Sequence, residues 1–137
     1  MSKPDLASLQ HFLATEFPQT PCLIEAVTEG VVRVRHPVGP ESLRPGGTVS
    51  GPVLMAAADV ALYVAILAEI GLEPLAVTTQ LSINFLRKPA AGKDILAECH
   101  LLKTGRTLVV GEVSLFSAGD AAPVAHVVGT YAVPIKT

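Results

Sequence analysis

One carboxylate lies inside a long apolar stretch of this sequence, and its position is the first feature that points to chemistry. Between Val53 and Ala68 every side chain is apolar or nearly so except that of Asp59. Because burying an unpaired carboxylate is costly, such a residue needs either polar partners or a functional reason. A carboxylate held in this way can take a proton from water as a general base or attack an electrophile as a nucleophile. The sequence leaves both roles open.

Ser50 and Gly51, just before this stretch, form a second group of candidates. If the stretch is a helix, its first backbone N–H groups lack partners within the helix and point outward. A carbonyl oxygen placed there would meet a hydrogen-bond donor as negative charge develops on it. A glycine lets a substrate come close to the backbone, and a serine can cap the helix. No serine has a convincing histidine and acid beside it, so a serine-hydrolase triad is not expected.

The elements that would position these groups follow from the spacing of apolar residues. Pro52 suits the first turn of a helix and Gly71 suits its C-terminal cap, so we predict a central helix over residues 52–70. This helix is apolar all round, which predicts that it is buried on every side. A second helix is predicted within residues 1–18, where apolar residues recur at helical spacing as far as Pro18.

The remaining segments predict strands. Two short strands flank Gly30, and four more follow the central helix with no helix between them, over residues 76–86, 93–102, 107–116 and 124–133. Strict alternation in the first of these four places Thr78 on the polar face and Leu81 on the apolar face. Short links such as the KTGR turn imply an antiparallel sheet. The sequence therefore predicts one α+β domain over residues 1–137, with an antiparallel sheet wrapped around one long helix.

Composition narrows the classes of function. Half of the 137 residues are hydrophobic, a fraction that also suggests surface buried between subunits. A net charge of −2 without a basic cluster gives no support for nucleic-acid binding. The apolar run is too short and too polar for a membrane span, and the N-terminus lacks the apolar core of a signal peptide.

The metal-ligating residue types are scattered. Cys22 and Cys99 fit no ligand spacing, and we expect them to be reduced thiols in a cytoplasmic protein. The four histidines show no ligand spacing either, so no metal is expected. Tyr63 and Tyr131 are interpreted as packing residues.

The order of these elements, with an aspartate inside the central helix, resembles the hotdog fold and, more closely, the PaaI-like acyl-CoA thioesterases. The signature of that family is His-Gly-Gly, six residues and then Asp; here the corresponding residues are Ser50-Gly51-Pro52, VLMAAA and Asp59. The next strand, VTTQLSINFLRKPAAG, and the hairpin LLKTGRTLVV also match patterns of the family. The likeness covers about residues 20–134.

This resemblance implies a cytoplasmic thioesterase that hydrolyses an acyl-CoA to a free acid and coenzyme A, with no cofactor besides the coenzyme A of its substrate. It implies that Asp59 is the base or nucleophile, that the Gly51 N–H polarises the carbonyl and that Thr78 orients the water, with Ser50 as a further catalytic candidate. The sites of the family lie between the subunits of a homodimer or homotetramer, with Gly51 from one chain and Asp59 and Thr78 from the other. The candidates for substrate binding are cationic: Arg44, Arg87, Lys88, Lys103 and Arg106.

Two other functions stay open at the level of sequence. Ser50, Pro52 and Arg44 stand where relatives have His, Gly and often Asn, which would also fit a dimer that binds acyl-CoA without hydrolysing it. A 3-hydroxyacyl thioester dehydratase on the same fold would need a histidine beside the carboxylate. The candidate is His36, which would have to reach in from a strand.

Overall fold

A computed structural model describes residues 3–28 and 30–135, and its elements follow the predicted order. The two helices are α1 (Leu6–Glu16) and α2 (Gly51–Ile70). The six strands are β1 (Leu23–Thr28), β2 (Val31–His36), β3 (Val77–Phe85), β4 (Ile95–Thr104), β5 (Leu108–Ser117) and β6 (Ala125–Ala132). Helix α2 thus begins one residue before the predicted start, and α1 is shorter than the predicted segment, of which residues 1 and 2 lie outside the described residues.

The strands form one antiparallel sheet in the order β1-β2-β4-β5-β6-β3. Helix α2 packs against one face of this sheet, and the core lies between them. The prediction of a hotdog fold, with one long helix wrapped by an antiparallel sheet, is confirmed. Cys22 and Cys99 are free and buried, as expected for reduced thiols. The largest fully buried side chains include Leu62, Ile66, Leu67, Val113 and Leu115.

Two glycines on neighbouring strands let α2 approach the sheet closely. Gly111 of β5 and Gly129 of β6 are register partners on the face that contacts the helix. A Cβ atom on Gly129 would lie 2.5 Å from Cδ1 of Leu62, and one on Gly111 would lie 2.8 Å from Cδ2 of the same side chain. Leu62 therefore occupies the space that side chains on these two strands would otherwise fill.

The prediction that α2 is buried on every side is correct only for its second half. Every residue from Val60 to Leu67 is buried. In the first half Pro52, Met55 and Ala56 are exposed, and Asp59 is half-buried. These residues lie on the same side of α2, because positions three or four apart share a helix face. The first half of α2 thus carries an apolar face that its own sheet does not cover.

By length and composition α2 qualifies as a membrane-crossing helix, with 20 residues and a mean hydropathy of 2.1, so the expectation that the apolar run is too short and too polar for one is wrong. The core helices of globular proteins pass the same test. In this structure 61% of the 18-residue apolar segment of α2 is buried inside the protein. The packing of α2 against the sheet is that of a core helix.

Strand β3 forms one edge of the sheet, beside β6, and its register is irregular at Thr79. Thr78 is the partner of Tyr131, but Gln80 is the partner of the next residue back along β6, so that Thr79 is an extra residue. This β-bulge turns Thr78 to the same face as Leu81, toward α2. The prediction that Thr78 lies on the opposite, polar face is therefore wrong, because strict alternation does not allow for the extra residue.

Candidate active site

Asp59 lies where the exposed half of α2 meets the buried half, against β3 and β6. Its Oδ1 atom accepts one hydrogen bond from the Thr78 hydroxyl at 2.6 Å and another from the Tyr131 hydroxyl at 2.7 Å. Its Oδ2 atom has no hydrogen-bond partner among the described residues. One oxygen of the carboxylate is thus held by two donors, and the other is free to act on a substrate or a water molecule.

Tyr131 is a further candidate site residue, which the sequence pattern led us to interpret as a packing residue. Its side chain is 3% exposed, its ring stacks on that of Tyr63, and its hydroxyl reaches both Oδ1 and, at 3.0 Å, the backbone oxygen of Asp59. A signal for this contact was present in the sequence. Tyr131 alternates with Gly129 and Val127 on the inward face of β6, and a buried tyrosine hydroxyl usually finds a polar partner.

Burial raises the pKa of Tyr131, and the nearby Asp59 carboxylate raises it further. A phenol in an apolar environment beside a negative charge keeps its proton, because the phenolate would be both desolvated and repelled. Tyr131 is therefore a stable hydrogen-bond donor to Asp59.

Ser50 and Gly51 lie at the other end of the exposed half of α2. Ser50 has the backbone conformation of an N-cap, but the expected capping hydrogen bond from its side chain is absent among the described residues. The ring of Phe85 lies over Gly51, and a Cβ atom there would be 3.3 Å from it. Gly51 and Asp59 are eight residues apart, or about 12 Å along the helix axis at ~1.5 Å per residue. Within one chain they therefore cannot contact the same carbonyl group.

A cleft of about 380 Å³ opens beside Gly51. Its apolar wall includes Leu54 and Phe85, and the charged residues that line it are all cationic. None of these cations forms an ion pair among the described residues, although the Arg87 side chain donates a hydrogen bond to the Pro123 backbone. The cleft suits an anionic ligand. Its cations are three of the predicted substrate-binding residues, Arg44, Arg87 and Lys88.

Lys103 and Arg106, the other two predicted substrate-binding residues, lie elsewhere. Lys103 lies near the end of β4, and Arg106 lies in the turn between β4 and β5. This turn is at the end of the sheet where β3 and β5 begin and β6 ends, as the pairing of Ala132 with both Val77 and Leu108 shows. Arg87 and Lys88 follow the opposite end of β3. Within a single chain, the five predicted substrate-binding residues therefore fall into two groups at opposite ends of the sheet, because sequence proximity to strand ends does not tell which end of the sheet each residue reaches.

No histidine in residues 3–28 and 30–135 forms a hydrogen bond or ion pair with Asp59. His36 is 7% exposed, and its Nδ1 atom is 2.8 Å from the next backbone carbonyl, to which it donates. His100 and His126 both contact Glu112 on the face of the sheet opposite α2. In residues 3–28 and 30–135, no three His, Cys, Asp or Glu side chains are arranged to hold a metal ion.

Comparison with known proteins identifies the family of this chain. The model of the thioesterase superfamily matches residues 46–124, which include the whole of α2, β3, β4 and β5. The chain belongs to the thioesterase superfamily. Thioester hydrolysis is the general chemistry that this membership supports.

One solved structure supports the same assignment, and two others share the fold. A provisionally assigned thioesterase from a Silicibacter species is 48% identical, with a TM-score of 0.87 over 95% of this chain and 92% of that one. Zebrafish thioesterase superfamily member 2 is 23% identical, with a TM-score of 0.82 over 96% of this chain and 99% of that one. A mutant of the phenylacetic acid degradation protein PaaI from Thermus thermophilus is also 23% identical, with a TM-score of 0.73 over 85% and 96%. At that identity the last two show the fold alone. A search of the curated proteins found no match.

Proposed function

We propose that this protein is a cytoplasmic acyl-CoA thioesterase in which Asp59 carries the chemistry. The observation that supports this most directly is the hydrogen bonding of its carboxylate. Oδ1 is held by the hydroxyls of Thr78 and Tyr131, and Oδ2 is free at the border of the uncovered face of α2. This arrangement fixes the orientation of the carboxylate and leaves one oxygen available for chemistry.

The free oxygen can act in either of two ways. As a general base, Oδ2 takes a proton from water while that water bonds to the thioester carbonyl carbon. The carbon–sulfur bond then breaks, the proton passes from Asp59 to the leaving sulfur, and coenzyme A leaves as the thiol together with the free acid. As a nucleophile, Oδ2 bonds to the carbonyl carbon, expels the thiolate and forms a mixed anhydride that water hydrolyses. In both routes a backbone N–H at the start of α2 stabilises the oxyanion.

The donor for the oxyanion must then come from a second subunit, because Gly51 and Asp59 of one chain are about 12 Å apart along α2. The arrangement beside β3 supports such sharing. Gly51 lies at the Phe85 end of this edge strand, and Asp59 lies at its Thr78 end. If the β3 edges of two chains pair antiparallel about a twofold axis, Gly51 of one chain approaches Asp59 of the other. A homodimer, or a tetramer of such dimers, would thus contain complete sites.

The same pairing gives the separated cations a common function. The Arg87 end of β3 in one chain would lie beside the Val77 end of the other, which is also the end that carries the hairpin with Lys103 and Arg106. Cations from both subunits could then surround one coenzyme A. Its phosphate groups are the anions that such side chains bind.

The test is release of free thiol from acyl-CoA esters of short, medium, long and aromatic acyl groups, with wild type, Asp59→Asn and Asp120→Asn. Asn is nearly isosteric with Asp, so the fold should persist, but it can neither take a proton nor attack. We expect a loss of ~10²-fold or more in kcat for Asp59→Asn. Asp120 is an exposed carboxylate in the turn before β6, and its substitution should leave kcat unchanged.

The outcomes separate the candidate functions. Binding of acyl-CoA without hydrolysis by the wild type would favour a non-catalytic binding protein. A folded Asp59→Asn oligomer with wild-type kcat would show that the carboxylate is structural. The dehydratase alternative has no support from the site, because His36 donates to its neighbouring carbonyl and does not contact Asp59.

A further inference from the structure

We propose that Tyr131 is a positioning residue of the reaction, which holds the Asp59 carboxylate through Oδ1 so that Oδ2 faces the substrate. This inference rests on the proposed function and goes beyond it. It assigns a role to a residue at the far end of the chain, 72 positions from the carboxylate that it contacts. The hydroxyl lies 2.7 Å from Oδ1, which is the distance of a strong, charge-assisted hydrogen bond.

A single donor would leave the carboxylate free to rotate, so the contribution of each donor matters. Thr78 lies on β3, the edge strand, next to the β-bulge, and is itself exposed. Tyr131 lies on β6, which has β5 on one side and β3 on the other, and its side chain is almost completely buried. The donor in the packed interior is the more rigid of the two. Tyr131 therefore fixes the position of Oδ1, and Thr78 completes it.

The chemistry of the phenol also fits a donor rather than a second base. Burial and the adjacent carboxylate raise the pKa of Tyr131, so the group stays protonated at every pH at which the enzyme would operate. Such a hydroxyl is always available to donate to Oδ1 and does not compete with Asp59 as a base.

The alternative is that Asp59 merely satisfies a buried tyrosine hydroxyl, in which case the contact would matter for stability alone. Tyr63 provides a matched control. Its ring stacks on Tyr131 with 6.2 Å between the centroids, it is 8% exposed, and its hydroxyl donates to the Pro74 carbonyl at 3.4 Å. Replacing either tyrosine with phenylalanine removes one hydroxyl from the same aromatic cluster, but only one of the two touches the carboxylate.

The experiment compares wild type, Tyr131→Phe, Tyr63→Phe and Asp59→Asn in thiol release from the best acyl-CoA substrate, with kcat and KM measured separately. For Tyr131→Phe we expect a drop in kcat of ~10- to 100-fold from misplacement of the reacting oxygen. We expect KM to change by less than ~2-fold, since the Tyr131 hydroxyl is buried against Asp59. Tyr63→Phe should change neither kcat nor KM.

Folding and assembly are checked by circular dichroism and light scattering on the same preparations. A folded Tyr131→Phe oligomer with the kcat of the wild type would overturn the inference. Equal kinetic losses in Tyr131→Phe and Tyr63→Phe would also overturn it, since the effect would then belong to the aromatic cluster. Failure of the proposed function is recognised separately, by an inactive wild type or an active Asp59→Asn variant, and either result removes the inference with it.

Discussion

In the second half of α2, residues 60–67 are all buried, whereas the first half leaves Pro52, Met55 and Ala56 exposed along one side. Residue type does not explain the difference, because Ala56 is exposed and Ala65 is buried within the same helix. The neighbours explain it. The second half lies over the middle strands of the sheet, while the first half runs beside β3, where the sheet ends.

This contrast shows how one apolar sequence can serve two purposes. The buried half holds the helix to its own sheet. The exposed half keeps an apolar face of a kind that is commonly covered by another subunit. Asp59 lies at the boundary, where Thr78 and Tyr131 hold its Oδ1 and its Oδ2 has no hydrogen-bond partner in the part of the chain that the structure describes. The candidate functional group is placed where the chain stops covering itself.

The largest effect is expected from a charge placed on the exposed half. Met55 is 41% exposed, and Met55→Glu would bury a carboxylate in any interface that covers this face. We expect dissociation to a species of the chain mass, 14.2 kDa, and a fall in kcat of ~10²–10³-fold, because the oxyanion donor of the other subunit is lost. Light scattering and thiol release on the same samples measure both.

Leu23 is the matched control for this prediction. It is a large apolar residue, 58% exposed, on β1 at the opposite edge of the sheet. Leu23→Glu should keep the oligomer and its turnover if the subunits meet through β3 and the first half of α2. Dissociation by Leu23→Glu, with Met55→Glu still assembled and active, would place the interface at the other edge and contradict the shared site.

A smaller effect, on stability, is expected where the buried half meets the sheet. Gly129→Ala would place a methyl group 2.5 Å from Leu62 and 2.6 Å from Leu81. Leu62 is fully buried and has little room to move. We expect the free energy of unfolding to fall by ~1–3 kcal/mol through overpacking. The kcat of the folded protein should stay at the wild-type value, as measured by urea unfolding and thiol release.

Gly39→Ala is the control. Its methyl group would also meet a close neighbour, at 2.7 Å, but that neighbour is the end of the Glu41 side chain, which is exposed and can move away. Gly39→Ala should therefore change the free energy of unfolding much less than Gly129→Ala. The double variant Leu62→Ala/Gly129→Ala should show a favourable coupling of ~0.5 kcal/mol or more, because one change makes room for the other. Additive effects would argue against the close packing of Leu62 on Gly129.

The comparison of the two halves also shows what the sequence could predict. The long helix, its end at Ile70 and the order of the strands along the chain follow from apolar spacing and from the Gly and Pro residues. These are local properties of the sequence. The exposure of Met55 could not be predicted in this way, because it depends on where β3 sits in the sheet, and the order of strands across a sheet is a long-range property.

The candidate site was predictable to a similar extent. Asp59 was predicted from one local feature, a single carboxylate within an apolar run. The face of Thr78 was predicted wrongly because one bulged residue, Thr79, reverses the alternation before it. Tyr131 was missed because its importance lies in a contact between β6 and α2 that the pattern of either element alone does not reveal.

The smallest effect is expected for the cations, and it tests how the two ends of the sheet are related. Lys88 lines the cleft beside the first half of α2, and Arg106 lies in the hairpin at the other end of the sheet. If two β3 edges pair antiparallel, the two side chains come from different subunits to the same coenzyme A. Lys88→Ala and Arg106→Ala should then each raise KM for an acyl-CoA by up to ~5-fold, the range of an exposed ion pair, with kcat unchanged.

Added salt should reduce both effects on KM, because it screens exposed charges. The corresponding pantetheine ester lacks the nucleotide phosphates, so neither substitution should change its KM. An effect of Lys88→Ala alone would mean that the hairpin does not reach the nucleotide and that the two ends of the sheet do not meet across the dimer.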